Sequence, residues 1–84
     1  MRFDIVLFGA TGFTGRITAH YLAVHTATEG FSWAIAGRDK DKLQQLADSL
    51  LGSKPEVLVA DVNDAASLTE MTSQATVLMN AAGP

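Results

Sequence analysis

Four apolar runs recur along the chain at similar intervals: Ile5 to Phe8, Trp33 to Ala36, Val57 to Ala60 and Val77 to Met79. Each has the length of a short strand, and each is nearly continuous in hydrophobicity instead of alternating. Continuous runs are what strands need when both faces of a parallel sheet are covered. Between the first two runs, Ile17, Ala19, Tyr21, Leu22 and Val24 predict a mostly apolar helix from about Gly12 to His25, which Gly30 interrupts before the second strand. Asp39 is placed to cap a second helix, Lys40 to Leu51, in which Leu43, Leu46, Ala47, Leu50 and Leu51 share one face and Gly52 follows the end. Asp64 precedes a short third helix. Its Ala65, Leu68, Met71 and Thr72 fall on one face, with Ser67 and Glu70 in the first turns.

The order is therefore βαβαβαβ. Right-handed crossovers convert it into an α/β fold, a partial Rossmann-like parallel sheet with strand order 3-2-1-4 and a reversal between the first and fourth strands. Ligands of such sheets bind above the carboxyl ends of the strands at the reversal. The first two helices belong on one face and the short third helix on the other, which leaves that second face under-covered. A complete fold of this type has about six strands and roughly 150 residues. Residues 1–84 are thus expected to be the amino-terminal part of a larger Rossmann-like domain, with the substrate and catalytic part absent from this chain. A small protein that hides its bare face in a homo-oligomer is the alternative.

Composition narrows the function classes. The 84 residues carry a net charge of −3, 48% hydrophobic residues and no cysteine, an ordinary globular composition. Without a Lys or Arg run there is no electrostatic footprint for nucleic acid or an anionic membrane. No apolar run has the length of a membrane span and the first residues do not form a leader, so the expected compartment is the cytoplasm. Thiolate nucleophiles and cysteine zinc clusters are excluded, and His20 and His25 have no accompanying carboxylate pattern, so no metal is expected.

The stretch FGATGFTG follows the first strand and opens the first helix. A strand that stops on glycine and restarts as a helix aims unpaired amides, and the positive end of the helix dipole, at a point above the sheet. Gly9 would permit the turn, Gly12 would let a pyrophosphate reach the backbone, and Gly15 would let the helix pack close to the strand. Thr11 and Thr14 add hydroxyl donors, and Phe13 completes the loop from Gly9 to Gly15. A packing turn without a ligand is the competing reading.

Cofactor choice should be written at the end of the second strand. Folds selective for NAD place a carboxylate there, about 20 residues after the glycines, whereas this strand ends Ile35-Ala36-Gly37-Arg38. A cation at the start of a helix is disfavoured by the dipole unless an anion compensates. The 2′-phosphate of NADP would do so, with Arg38 over phosphate or adenine and Lys42 one turn on. A solvated arginine paired with Asp39 or Asp41 is the other reading, and NAD remains the alternative cofactor. Asp39 itself suits a helix cap better than a ribose ligand. Asp61 and Val62 follow the third strand, where the carboxylate could border adenine or satisfy turn amides. Ala82 and Gly83 follow the fourth strand, where small residues would let the backbone lie against the nicotinamide half or would serve a plain turn before Pro84.

DIVLFGATGFTG, WAIAGRDKDKL, VLVADVNDAASL and VLMNAAGP together resemble the amino-terminal NADP-binding domain of the saccharopine dehydrogenase-like oxidoreductases, including the trans-acting enoyl reductases. Atypical short-chain dehydrogenases and NmrA-like regulators share the GATGxxG opening. The resemblance implies a Rossmann fold, NADP(H) as ligand, and phosphate contacts from the Gly9 to Gly15 loop and from Arg38. Asp39 stands where that family often has serine, which adds negative charge beside the 2′-phosphate pocket. The family's chain also continues into a substrate domain.

No catalytic residue is assignable. Hydride transfer commonly uses a nearby proton donor, yet Tyr21 lies mid-helix, with His25 where a short-chain dehydrogenase would place its lysine, and both suit helix packing and surface. Trp33 reads as core. The chain therefore reads as the cofactor-binding portion of an NADP-dependent oxidoreductase. The alternatives are an NAD(P)-sensing regulatory module without catalysis and a small interaction domain.

Overall fold

The computed structural model describes residues 2–81. Strands β1 (Phe3–Phe8), β2 (Trp33–Gly37), β3 (Glu56–Val59) and β4 (Ala75–Asn80) alternate with helices α1 (Phe13–Glu29), α2 (Lys40–Ser49) and α3 (Ala65–Ser73). The four strands form one sheet in the order β3-β2-β1-β4. Every pairing is parallel; Leu7 stands between Ile35 and Met79, and Ile35 is opposite Val57. The expected architecture, strand order and reversal between β1 and β4 are all present.

Two apolar layers hold the sheet. On one face Leu7, Trp33 and Ile35 pack with Ala19, Leu22 and Ala23 of α1 and with Leu43, Leu46 and Ala47 of α2. On the other, Phe3, Val6, Phe8, Ala34 and Ala36 meet Met71 of α3, with Leu68 partly buried beside them. Continuous hydrophobicity matches burial on both faces for β2 and for most of β1. It does not for β3 and β4. Beyond Ala75 every residue of β4 is exposed, Val77 to 51%. The cause is coverage: α3 has nine residues and commits only Met71 fully to the core, and β4 has one neighbour, β1.

Helix boundaries depart from the sequence pattern in two places. Helix α1 runs to Glu29, past the expected His25, and stops on Gly30, which takes a left-handed conformation (φ 77°) and donates its amide to the Thr26 carbonyl. Its buried face is Gly15, Ala19, Leu22, Ala23 and Thr26, so small residues let the helix approach the sheet, whereas Ile17, Tyr21 and Val24 point outward. Helix α2 ends at Ser49, before the expected Leu51. Leu50 is extended yet fully buried, and Leu51 is exposed. The following turn presses on α1, because a Cβ on Gly52 would lie 2.6 Å from the Ala23 carbonyl oxygen. That same carbonyl accepts the Ser53 amide at 2.9 Å. Trp33 is core, as expected, with its indole Nε1 donating to Ser53 Oγ at 3.2 Å. In α3, Ala65 and Thr72 of the expected apolar face are exposed. Among the described residues no helix is long and apolar enough to cross a membrane, and no group of three metal-ligating side chains comes together.

Candidate functional site

The turn out of β1 is set by Gly9, whose φ of 80° only glycine adopts without strain. Its amide donates to the Ala36 carbonyl at 2.9 Å, fastening the turn to β2, and its carbonyl accepts the Gly12 amide at 3.2 Å. Gly12 is the N-cap of α1 and offers no side-chain cap. Since the first bond into the helix is made by the Arg16 amide to the Gly12 carbonyl, the amides of Thr11, Phe13 and Thr14 donate to no acceptor among the described residues.

Two further glycines have distinct physical reasons. A Cβ on Gly15 would stand 2.0 Å from the Gly9 carbonyl oxygen and 2.8 Å from Ala10 Cα, so only glycine permits the first turn of α1 to lie on the loop. The close approach is to the loop just after β1, a refinement of the expected helix-to-strand contact. At Gly12 the nearest atom to a Cβ would be 3.5 Å away, an ordinary contact, with a φ of −71°. The chain's own packing does not require glycine there.

Above the carboxyl ends of the strands lies an open hollow of about 420 Å³. It brings together Gly9, Thr11, Gly12, Arg38, Asp61 and Val62, all named from the sequence. Phe8, Gly37, Ala60 and Ala81 complete its lining. Phe8, Gly37 and Ala60 escaped the motif reading, although each stands at or just past a strand end, the position the topology itself marks as ligand-facing; Ala81 belongs to the stretch of small residues after the fourth strand. Ala81 is held there by its amide, which donates to the Phe8 carbonyl at 2.8 Å. Asp61 satisfies a turn amide, Oδ1 accepting from Asn63 at 2.9 Å, and the residue also lines the hollow. Asp39 caps α2 by accepting the Lys42 amide at 3.2 Å and does not line this hollow.

The remaining sequence-named residues lie elsewhere. Gly15 is buried beneath the loop, while Phe13 and Thr14 are exposed on the first turn of α1. Lys42 lines a neighbouring hollow between α1 and α2, with Thr11 common to both. Ala82 and Gly83 fall outside the described residues. Tyr21 and His25 stack on the outer side of α1 with ring centroids 4.1 Å apart, and neither lines either of these two hollows.

Comparison with known proteins agrees with this fold. The profile of the saccharopine dehydrogenase NADP binding domain matches residues 5–84. A lipid droplet localized protein of Caenorhabditis elegans is 42% identical over 89 residues, covering 99% of this chain and 21% of that protein. The saccharopine dehydrogenase-like oxidoreductase of Rattus norvegicus is 38% identical, over 98% of this chain and 22% of its own length. The trans-acting enoyl reductase of Mycobacterium leprae (strain TN) is 39% identical, over 98% and 20%. The chain thus spans about a fifth of the length of these relatives. No solved structure matches it. On this match, nearly the whole sequence long, the chain belongs to the saccharopine dehydrogenase NADP-binding domain family.

Proposed function

We propose that this chain binds NADP(H) across the carboxyl ends of its strands and holds the nicotinamide for a substrate carried by other residues of a longer oxidoreductase. The observation that carries the reading is the uncapped amino end of α1: three amides without acceptors, a helix dipole behind them, and a glycine whose missing side chain leaves the approach open. Those groups fit a pyrophosphate. The family match supports the same ligand, and the half-bare sheet supports a larger parent domain.

Each lining residue then has a task. The amides of Thr11, Phe13 and Thr14 would donate to the diphosphate oxygens, with Gly12 admitting them to van der Waals range of the backbone. Arg38 would set a planar guanidinium over the adenosine end, where the second strand supplies no carboxylate to reject a 2′-phosphate. Asp61 would accept from the adenine amine with the oxygen its turn leaves over. Ala81 would lie beside the nicotinamide half. When bound, the dinucleotide itself supplies hydride exchange with a substrate carbon.

Isothermal titration of the chain with NADPH, NADP, NADH and NAD tests this. Binding of the phosphorylated pair is expected to be the tighter. Replacing Arg38 by alanine should weaken that pair selectively by about 1 to 3 kcal/mol. Absence of heat with all four nucleotides would overturn the proposal, leaving the chain a small interaction domain.

A further inference from the structure

The loop after β3 carries Asp61 and Val62 into the strand-end hollow, and one side chain of α3 holds it there. Ser67 Oγ accepts the Asp61 amide at 3.0 Å. Its proton is shared between the carbonyls of Asp64, at 2.9 Å, and Asp61, at 3.3 Å. A single half-buried hydroxyl thus donates to and accepts from the same loop. Most other polar groups of Asp61 are already engaged: the carbonyl also accepts the Asp64 amide at 2.9 Å, and Oδ1 accepts the Asn63 amide at 2.9 Å. Oδ2 alone has no partner among the described residues. Val62 gives the loop no anchor, since its side chain is exposed. The last tie to β2 comes one residue earlier, from the Ala60 amide to the Gly37 carbonyl at 2.8 Å. The direction of the free carboxylate oxygen is therefore set, at its own backbone, by Ser67.

We propose that Ser67 is a positioning residue for base selectivity: through the Asp61 amide it fixes the Asp61 carboxylate so that the site takes a 6-aminopurine and rejects a 6-oxopurine. The inference rests on the dinucleotide reading above and deepens it at the adenosine end. An ionised carboxylate only accepts hydrogen bonds. The exocyclic amine of adenine donates to it, whereas hypoxanthine presents a keto oxygen at the same place, a second acceptor that leaves Oδ2 unpaired. Hypoxanthine carries its nearest donor, N1–H, on the adjacent ring atom. A carboxylate free to swing would recover a bond there, and a fixed one would not, so discrimination depends on the bond that holds the loop. Ser67 itself does not line the hollow. The short third helix, which commits just Met71 fully to the core, thus gains a part in recognition through the loop it restrains.

Calorimetry on the chain, comparing NADP with its deamino analogue in which hypoxanthine replaces adenine, tests this. The parent chain should prefer NADP about tenfold, as for one charge-assisted hydrogen bond lost. In Ser67→Ala the preference should fall to about twofold, through weaker NADP binding while the deamino analogue binds at least as tightly as before. Ser67→Thr keeps the hydroxyl and should restore most of the preference. Asp61→Asn, whose amide can donate to a keto oxygen, should abolish it, and adding Ser67→Ala to that variant should change the selectivity no further. Urea unfolding of each variant reads the loss of the loop bond separately from the ligand ratio. A merely structural Ser67 would weaken both ligands alike in the alanine variant; that result, or an unchanged tenfold preference, would overturn the inference. A parent chain that binds both dinucleotides equally would overturn it too, with the dinucleotide site still standing. A parent chain that binds neither would remove the dinucleotide reading, and this inference with it.

Discussion

The amino ends of α1 and α2 both open toward the carboxyl ends of the strands, and they are built in opposite ways. Helix α2 begins with Asp39, whose carboxylate takes the Lys42 amide, and carries Asp41 in its first turn. Helix α3 follows the same plan, with Asp64 accepting the amides of Ala66 and Ser67. Helix α1 begins with Gly12, has no side-chain cap and has no acid in its first turn. Aspartate caps usually contribute about 1 kcal/mol, so α1 forgoes stability that its neighbours keep. The difference teaches that the first helix is secured by other means, the packing of Gly15 on the loop, while the amides of Thr11, Phe13 and Thr14 have no acceptor among the described residues.

The severest way to break this contrast is Gly15→Ala. The added methyl would overlap the Gly9 carbonyl and Ala10 backbone, forcing the loop off α1. A loss of about 3 kcal/mol in urea unfolding is expected, together with dinucleotide binding. An unchanged midpoint would show that the loop and helix are less tightly joined than the structure has them.

Gly12→Asp turns the first helix into one of the second kind. The backbone at Gly12 already has N-cap geometry, so the carboxylate should raise unfolding stability by about 0.5 to 1 kcal/mol. It should also exclude the diphosphate by charge and bulk, weakening NADP binding by about 2 kcal/mol or more. Stability and affinity moving together would refute the division of labour between the helices.

The gentlest change sharpens the comparison from the other side. Asp39→Ser keeps a capping oxygen on α2 while removing one negative charge next to Arg38. Stability should stay within about 0.5 kcal/mol, and NADP should bind about two- to threefold more tightly, an effect that fades with added salt. A salt-independent change would point away from electrostatics.

The sheet was legible because strands buried on both faces leave an unmistakable continuous apolar run, as in Ile5 to Phe8 and Trp33 to Ala36. The same runs in β3 and β4 promised a burial that α3 is too short to provide. The end of α1 was less legible because its apolar residues lie on two sides: Ala19 and Leu22 face the sheet, Ile17 and Tyr21 face outward. Such a distribution blurs the periodicity that marks a boundary. At the site, Gly9, Thr11, Gly12, Arg38, Asp61 and Val62 could be named from local motifs, since topology alone puts them together, whereas Phe8, Gly37 and Ala60 carry no motif of their own. The placement of Lys42 with Arg16 and His20 in the neighbouring hollow could not be read that way, because it depends on how two helices lie against each other across 26 residues of sequence separating Arg16 from Lys42.

The single indole of the chain has a practical reach. Trp33 sits in the central part of the sheet at 3% exposure, tied to Ser53 at the turn that leans on the first helix. Its fluorescence should therefore report the union of sheet, first helix and following turn as one unit, shifting to longer wavelength when water reaches it. Reduced nicotinamide absorbs near-ultraviolet light where indole emits, so energy transfer from this residue would reveal an occupied cleft without any label.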